Sequence, residues 1–454
     1  MPPKNDFDFD LFVIGGGSGG VRAARRWAAA GHRVAIAEER DWGGTCVHRG
    51  CIPKKLLVFA AHFAQDFADA PAYGWQLPTA PTFAWPTLIA NKDRELRRLN
   101  AVYTDLLKTA GAQMVAGRAR ILDPHQVQVA DQTYRTRRIL IATGGRPLVP
   151  PIPGADSAIT SDQAFHLDTL PASIIIIGGG YIAVEFACIF NGLGTKVDLL
   201  YRRDLFLRGF DLDLRQRLAS TMVDQGIRLH FDADVTRIDS KNGQHIAHLR
   251  SGQKLTADQV FYATGRVPHT ADLWQPDLDI ATAPNGAIQI NQNFQTTVPS
   301  IYALGDVVGK RALTPVAIAE AEALLQHWRT GTAANFNYCN IPAAVFSAPN
   351  LATVGLTEQE ATDRGLDCAI YQTDFRHLKH TLTGRKERVY MKLLVDRPTD
   401  RILGAHMLGP EAGEIIQSIA IAIQASATKS DFDRTIGIHP TMAEEWVTMH
   451  TPRP

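Results

Sequence analysis

Two cysteines separated by four residues, Cys46 and Cys51, stand in the run Gly43-Gly44-Thr45-Cys46-Val47-His48-Arg49-Gly50-Cys51-Ile52-Pro53-Lys54-Lys55. This spacing is compatible with a local disulfide, provided the two Cα atoms come within about 7 Å. A zinc site would need further Cys or His ligands close by, and only His48 is available, so no metal is expected. A structural disulfide suits an oxidising compartment. The 454-residue chain has only five cysteines and opens on MPPKNDFDFD, which lacks a basic segment followed by an apolar one, so a reducing, cytoplasmic setting is expected. A redox-active pair is the reading that remains. Lys54 and Lys55, with a helix starting beside them, predict lowered thiol pKa values. Cys188, Cys339 and Cys368 have no suggestive neighbours and are expected to be small buried hydrophobes.

A redox pair needs an electron source, and the flanking segments point to nucleotides. An apolar run, residues 9–14, leads into Gly15-Gly16-Gly17-Ser18-Gly19-Gly20, an alanine-rich helix and a second apolar run that ends at Glu38. The pattern recurs as residues 174–177, then Gly178-Gly179-Gly180-Tyr181-Ile182-Ala183, a helix to about Asn191, and a run ending at Tyr201. Strand, glycine turn, helix, strand is the βαβ unit that binds dinucleotides. Its glycines permit a tight turn, close approach of a pyrophosphate, and close packing of helix on strand. Glu38 follows Gly15 at the same interval as Tyr201 follows Gly178. A carboxylate there accepts from ribose hydroxyls, so the first unit reads as a site for FAD or NAD. The second has no acid but continues into Arg202, Arg203 and Arg208. Guanidinium groups bind a 2′-phosphate that a carboxylate would repel, so this unit reads as an NADP site.

Composition limits the rest. A chain of this length suggests several domains, and a formal net charge of +1 argues against a nucleic-acid or membrane-surface partner. The most apolar stretch, 173–190, is broken by three glycines and Glu185, which argues against a membrane span. Pro-rich residues 147–153 and Gly265-Arg266-Val267-Pro268 punctuate the chain. Alternating runs at 343–346, 390–395 and 402–407, with a helical pattern at 411–427, predict a C-terminal α+β region.

The dithiol segment resembles that of the pyridine nucleotide–disulfide oxidoreductases. Within that family, its Pro-Lys-Lys ending resembles the branch that reduces glutathione disulfide. Further matching segments are Ile139-Leu140-Ile141-Ala142-Thr143-Gly144-Gly145, Ala263-Thr264-Gly265-Arg266-Val267-Pro268, Ile301-Tyr302-Ala303-Leu304-Gly305-Asp306 and His439-Pro440-Thr441-Met442-Ala443-Glu444-Glu445. The resemblance implies an α/β protein with two Rossmann-like FAD- and NADP-binding domains plus a C-terminal α+β dimerisation domain. The FAD-binding domain would span 1–150, the NADPH-binding domain 151–267, the return to the FAD domain 268–335, and the interface domain 336–454. It implies FAD and NADPH as cofactors and a homodimer. Cys51 would adjoin the flavin, and Cys46 would attack the substrate disulfide. His439, oriented by Glu444, would serve the other subunit's dithiol as base and acid. Lys54, paired with Glu185, would sit beside the flavin.

By the same resemblance Gly15, Gly17, Ser18, Gly20, Glu38, Thr45, Thr143, Gly144, Arg266, Asp306 and Thr314 would hold FAD. Gly178, Gly180, Tyr181, Ile182, Glu185, Arg202, Arg203, Arg208 and Gly265 would hold NADPH. Ser18, Arg22, Arg25, Val102 and Tyr103 would meet the substrate. Arginines suit glutathione disulfide and its carboxylates, whereas relatives acting on cationic trypanothione carry acidic and aromatic residues in this region. One position departs from this pattern. Glu322 stands where animal members of the glutathione branch place an arginine, which keeps a carboxylate-blocked derivative, such as an amide, in view. Dihydrolipoamide dehydrogenase, which uses NAD, would have an acid near Tyr201.

Overall fold

The computed structural model describes residues 6–454. The first five, on which the reading of the N-terminus partly rests, lie outside the described residues. The chain divides into two compact units, each assembled from three stretches. The first takes the chain up to Leu56, Pro86–Leu148 and Gly265–Asn337; the second takes Leu57–Trp85, Val149–Thr264 and Tyr338–Pro454.

The first unit is organised by a five-stranded parallel sheet in the order Ile301–Ala303, Ile139–Ile141, Leu11–Ile14, Val34–Glu38, Gln113–Ala116. All but the edge strand Gln113–Ala116 read as largely apolar runs because both faces of the sheet are covered there. Phe12, Ile14, Ala35, Ala37, Ile139 and Ile141 pack on one side. Leu11, Val13, Val34, Ile36 and Leu140 pack on the other, against Ala23, Ala24 and Trp27 of helix Ser18–Ala29. A three-stranded antiparallel sheet, Ala119–Asp123, Gln126–Val129 and Gln132–Arg135, belongs to the same unit. It is absent from the sequence-based expectations, because its strands are only four or five residues long.

The second unit repeats the nucleotide-binding pattern. Its parallel sheet runs Arg228–His230, Lys196–Leu200, Ser173–Ile177, Gln259–Tyr262, and helix Tyr181–Gly192 follows the second glycine turn. A second sheet, of five antiparallel strands, runs Ala343–Val345, Leu351–Gly355, Ile402–Leu408, Arg388–Asp396, Cys368–Arg376. Helix Ala412–Gln424 packs on it through Ile416, Ile419, Ala420 and Ile423. The expected C-terminal α+β region is therefore present, with two strands, Leu351–Gly355 and Cys368–Arg376, beyond those read from the sequence. No helix among the described residues is long and apolar enough to cross a membrane.

Candidate active site

The dithiol is delivered by two consecutive helices, Gly44–His48 and Cys51–Asp69, so that Cys46 lies inside the first and Cys51 opens the second. The link between them is tight: a Cβ on Gly50 would lie 2.8 Å from the Thr45 carbonyl oxygen. The first of these helices starts directly on the glycine turn, where a Cβ on Gly44 would lie 2.7 Å from the Gly17 Cα. Side chains around it fix the rest. His48 Nε2 bonds the Trp42 carbonyl at 3.1 Å, the Trp42 amide donates to Asn100 at 3.0 Å, and Arg49 pairs with Asp41 at 3.1 Å.

Both cysteines are thiols. Cys51 is exposed and lies 3.7 Å from the Thr314 hydroxyl; Cys46 is half-buried. The Cys46 thiol is held above the ordinary thiol range, first by its hydrogen bond with the Cys51 sulfur, then by burial and by the charge of Cys51. The hydroxyls of Thr314 and Ser18 pull weakly the other way. This corrects the expectation of a lowered value at Cys46, where the neighbouring sulfur and burial outweigh the helix end and the lysines. Tyr103, on helix Trp85–Thr109, is raised first by burial and next by the charge of Cys46, while Arg22 and Arg25 lower it. Ser18, Tyr103, Arg22 and Arg25 thus share the surroundings of Cys46, and Val102 is exposed on the same helix as Tyr103. The other cysteines divide. Cys188 is buried and its thiol pushed up to about 12 by that burial, but Cys339 is exposed and Cys368 half-buried, so neither of the latter two is the core residue expected.

The first glycine turn has the form a pyrophosphate requires. Helix Ser18–Ala29 has no side-chain cap, and a Cβ on Gly17 would meet nothing within 4 Å, so open space faces the uncapped N–H groups. Glu38 accepts from the Gly16 amide at 2.6 Å and the Arg40 amide at 2.9 Å. Burial pushes its carboxyl up, against those two bonds. Burial likewise raises Asp306, at the start of the turn Gly305–Val308, with Arg266 opposing. Arg266 donates to the Gly145 carbonyl, and the Thr143 hydroxyl to the His269 carbonyl at 2.8 Å, beside Gly144.

The second turn is equally open: helix Tyr181–Gly192 has no side-chain cap, and a Cβ on Gly180 would meet nothing within 4 Å. Tyr181 is exposed, Ile182 half-buried, and Glu185 buried with one oxygen accepting from the Phe346 amide at 2.9 Å. Arg202, Arg203 and Arg208 are all exposed on a loop held from behind by Arg215. Its guanidinium donates to the Leu205 and Phe206 carbonyls at 2.8 and 2.7 Å. Sequence reasoning misses Arg215, because nothing in its spacing marks a side chain that serves a loop. Gly265, grouped with the NADPH residues above, falls in the first unit, whereas the others fall in the second. His439, with 82% of its side chain exposed, bonds Glu444 through Nδ1 at 3.1 Å. Lys54 lies one turn into the helix that Cys51 opens. Among the described residues no cluster of three or more His, Cys, Asp or Glu side chains could hold a metal ion.

These features coincide with what comparison finds. The family model for pyridine nucleotide–disulphide oxidoreductases matches residues 9–321, and the model for their dimerisation domain matches 341–450. The chain is 48% identical to a glutathione reductase from Burkholderia cepacia, covering 98% of this chain and 99% of that protein. It is 38% identical to a trypanothione reductase from Leishmania donovani, covering 98% and 96%. Among solved structures, the HOCl-induced flavoprotein disulfide reductase RclA from Escherichia coli superposes with a TM-score of 0.87 at 29% identity, covering 97% of this chain and 99% of that one. With its two open glycine turns and its paired thiols, the chain belongs to the pyridine nucleotide–disulphide oxidoreductase family.

Proposed function

We propose that this chain reduces glutathione disulfide to two molecules of glutathione, using NADPH, FAD and the Cys46/Cys51 dithiol. The observation that carries the reading is the setting of the pair: it starts on an open dinucleotide turn, and Cys46 shares its surroundings with Tyr103 and two arginines. When bound, the flavin supplies a two-electron relay between the nicotinamide and the sulfurs. Gly15, Gly17, Ser18 and Gly20 hold its phosphates and Glu38 its ribose, while Thr45, Thr143, Gly144, Arg266, Asp306 and Thr314 line the remainder. Gly178, Gly180, Tyr181, Ile182, Glu185 and Gly265 receive NADPH, and Arg202, Arg203 and Arg208 bind its 2′-phosphate.

The sulfur chemistry follows from the pair itself. Cys46 attacks one substrate sulfur, forming a mixed disulfide and releasing one glutathione. Cys51 then attacks the Cys46 sulfur, releasing the second glutathione and leaving a Cys46–Cys51 disulfide, which the two electrons of NADPH return to the dithiol. A Cys46 thiol raised above its ordinary range needs a base to attack, and its leaving group needs an acid. His439 of a second copy meets both needs, held in one tautomer by Glu444. The match of residues 341–450 to a dimerisation domain supports a homodimer. Five cysteines in 454 residues suit a reducing, cytoplasmic setting.

Consumption of NADPH with oxidised glutathione tests this reading. Purified holoenzyme should turn over, and Cys46→Ser should lose at least about 10³-fold in disulfide reduction while its flavin is still reduced by NADPH. Absence of turnover by the wild type would sink the proposal.

A further inference from the structure

Strand Arg388–Asp396 is buried from Val389 to Val395, yet it carries a cation, Lys392, in its middle. Alternation along the strand puts Val389, Met391, Leu393 and Val395 on the face packed with helix Ala412–Gln424, and Tyr390 and Lys392 on the other. A buried cation persists only with partners, and three acids supply them. Lys392 Nζ lies 3.0 Å from both Asp211 carboxylate oxygens, 2.7 Å from Asp213 and 2.5 Å from Glu358. Burial works to lower the Lys392 amine, but the three acids together hold it above its ordinary range. His406 stands opposite Lys392 on the neighbouring strand Ile402–Leu408. Burial pushes its ring down, and Nε2 donates to the Leu356 carbonyl at 2.9 Å, so it adds no charge to the patch.

Asp211 is the acid that links this patch to the nucleotide. It is 2% exposed, ends the loop that carries Arg202, Arg203 and Arg208, and caps helix Leu212–Asp224. Its Oδ1 accepts from the Asp213 amide at 3.1 Å and its Oδ2 from the Glu358 amide at 3.3 Å. The Tyr390 hydroxyl adds a bond to Asp213 at 3.0 Å. Arg215, which holds the Leu205 and Phe206 carbonyls, lies on this same helix, and its amide donates to the Asp211 carbonyl at 3.2 Å. At its other anchor the loop is tied to the glycine turn, through the Leu207 amide and the Gly179 carbonyl. One anchor thus belongs to the turn and the other to the C-terminal sheet. The three arginines are exposed, and a long exposed side chain meets a phosphate only as reliably as the backbone beneath it is held.

We propose that Lys392 is a positioning residue for NADPH. Through Asp211 it fixes the loop whose arginines read the 2′-phosphate, so a residue of the C-terminal sheet sets part of the preference for NADPH over NADH. This rests on the NADP reading of the second turn in the function proposed above, and adds the device that holds that site in place.

Calorimetric titration of the holoenzyme with NADP+ and NAD+, which bind without reducing the flavin, tests this alongside thermal unfolding. Lys392→Met alone would leave the buried Asp211 charge unpaired, so it is combined with Asp211→Asn, whose side chain still caps the helix. Asp211→Asn by itself is the milder variant, because Lys392 keeps Asp213 and Glu358. The double variant should weaken NADP+ about five- to thirtyfold and leave NAD+ within about twofold, as expected of residues that touch neither ligand but support a contact made by only one. Asp211→Asn should shift the ratio the same way by less. With Arg202→Ala and Arg208→Ala already present, the double substitution should move NADP+ by less than about twofold, because the groups it positions are gone. A ratio unchanged in both variants, even with a lowered Tm, overturns the role of Lys392 while the wild type's preference for NADP+ leaves the proposed function standing. Equal losses for the two nucleotides overturn it likewise. A wild type that binds both nucleotides equally overturns the NADP reading, and this inference with it.

Discussion

In the first glycine turn the Gly16 amide donates to Glu38 at 2.6 Å. In the second, the equivalent Gly179 lies under the Tyr201 ring, whose nearest carbons would be 2.4 Å from a Cβ on that glycine. Both turns close a parallel βαβ unit and both leave the helix N-terminus uncapped, so backbone and phosphate cradle are shared. What differs is the residue at the end of the second strand. A carboxylate places negative charge where a ribose presents its hydroxyls; a ring contributes surface without charge and leaves the neighbouring arginines to set the potential. One backbone thus serves two nucleotides, with the choice made by a single side chain and the loop after it.

The largest test of this comparison concerns the last glycine of each turn. A Cβ on Gly20 would lie 1.9 Å from the Gly15 carbonyl oxygen, whereas the second turn carries Ala183 at the matching place, fully buried. Gly20→Ala should therefore destabilise the protein by about 3 kcal/mol or more, since backbone cannot retreat as a side chain can. Ala183→Gly should cost only about 1 kcal/mol, from lost helix propensity. Denaturant unfolding of both variants decides it; a smaller loss for Gly20→Ala would mean that the turns do not differ in helix–strand spacing.

The second test exchanges charge instead of packing. Arg202→Ala combined with Arg208→Ala should weaken NADPH binding at least about 100-fold, taking about 1.5–3 kcal/mol for each hydrogen bond to a charged group, and leave NADH within about twofold. Calorimetric titration with both nucleotides measures this. Arg215→Met should act in the same direction but less strongly. It removes the donors to the Leu205 and Phe206 carbonyls while the amide of Leu207, at φ 55°, still donates to the Gly179 carbonyl at 2.7 Å. Equal losses for both nucleotides would show that the arginines do not read the phosphate.

Much of this contrast was legible in the sequence. Both turns, the acid at Glu38, its absence at Tyr201 and the arginines beyond could be read directly, because each depends on residues close together in the chain. The dithiol was legible for the same reason. Its internal asymmetry was not: that Cys46 is the more buried sulfur, its thiol raised by Cys51 and by burial against the hydroxyls of Ser18 and Thr314, depends on residues meeting in space. The pairing of Glu322 with Arg22 spans 300 positions, so only the unusual acid was visible, not its partners. The sheet within 119–135 and the sheet of strands Val235–Lys241, Gln244–Leu249 and Lys254–Ala257 escaped because each strand offers at most two buried side chains, as Val127 and Val129 do in Gln126–Val129, too few to mark a period.

The smallest expected effect concerns protons. Burial raises the Glu38 carboxyl above its ordinary 4.5, although the amides of Gly16 and Arg40 oppose it. A raised value means that the folded chain binds this proton more readily than the unfolded chain. Glu38 therefore contributes stability that is fully present below pH 4.5 and is lost as the pH rises through the raised value. A tenfold difference in proton affinity between folded and unfolded chain corresponds to about 1.4 kcal/mol. Unfolding of flavin-free protein between pH 4 and 7 should show this contribution fall with rising pH in the wild type, and Glu38→Gln should remove it. Adding FAD should shrink the step, because ribose hydroxyls that donate to Glu38 favour its charged form. The second turn, with Tyr201 in place of the acid, has no carboxylate to produce such a step. A pH dependence that Glu38→Gln leaves untouched would place the titrating group elsewhere and remove proton uptake from the differences between the two turns.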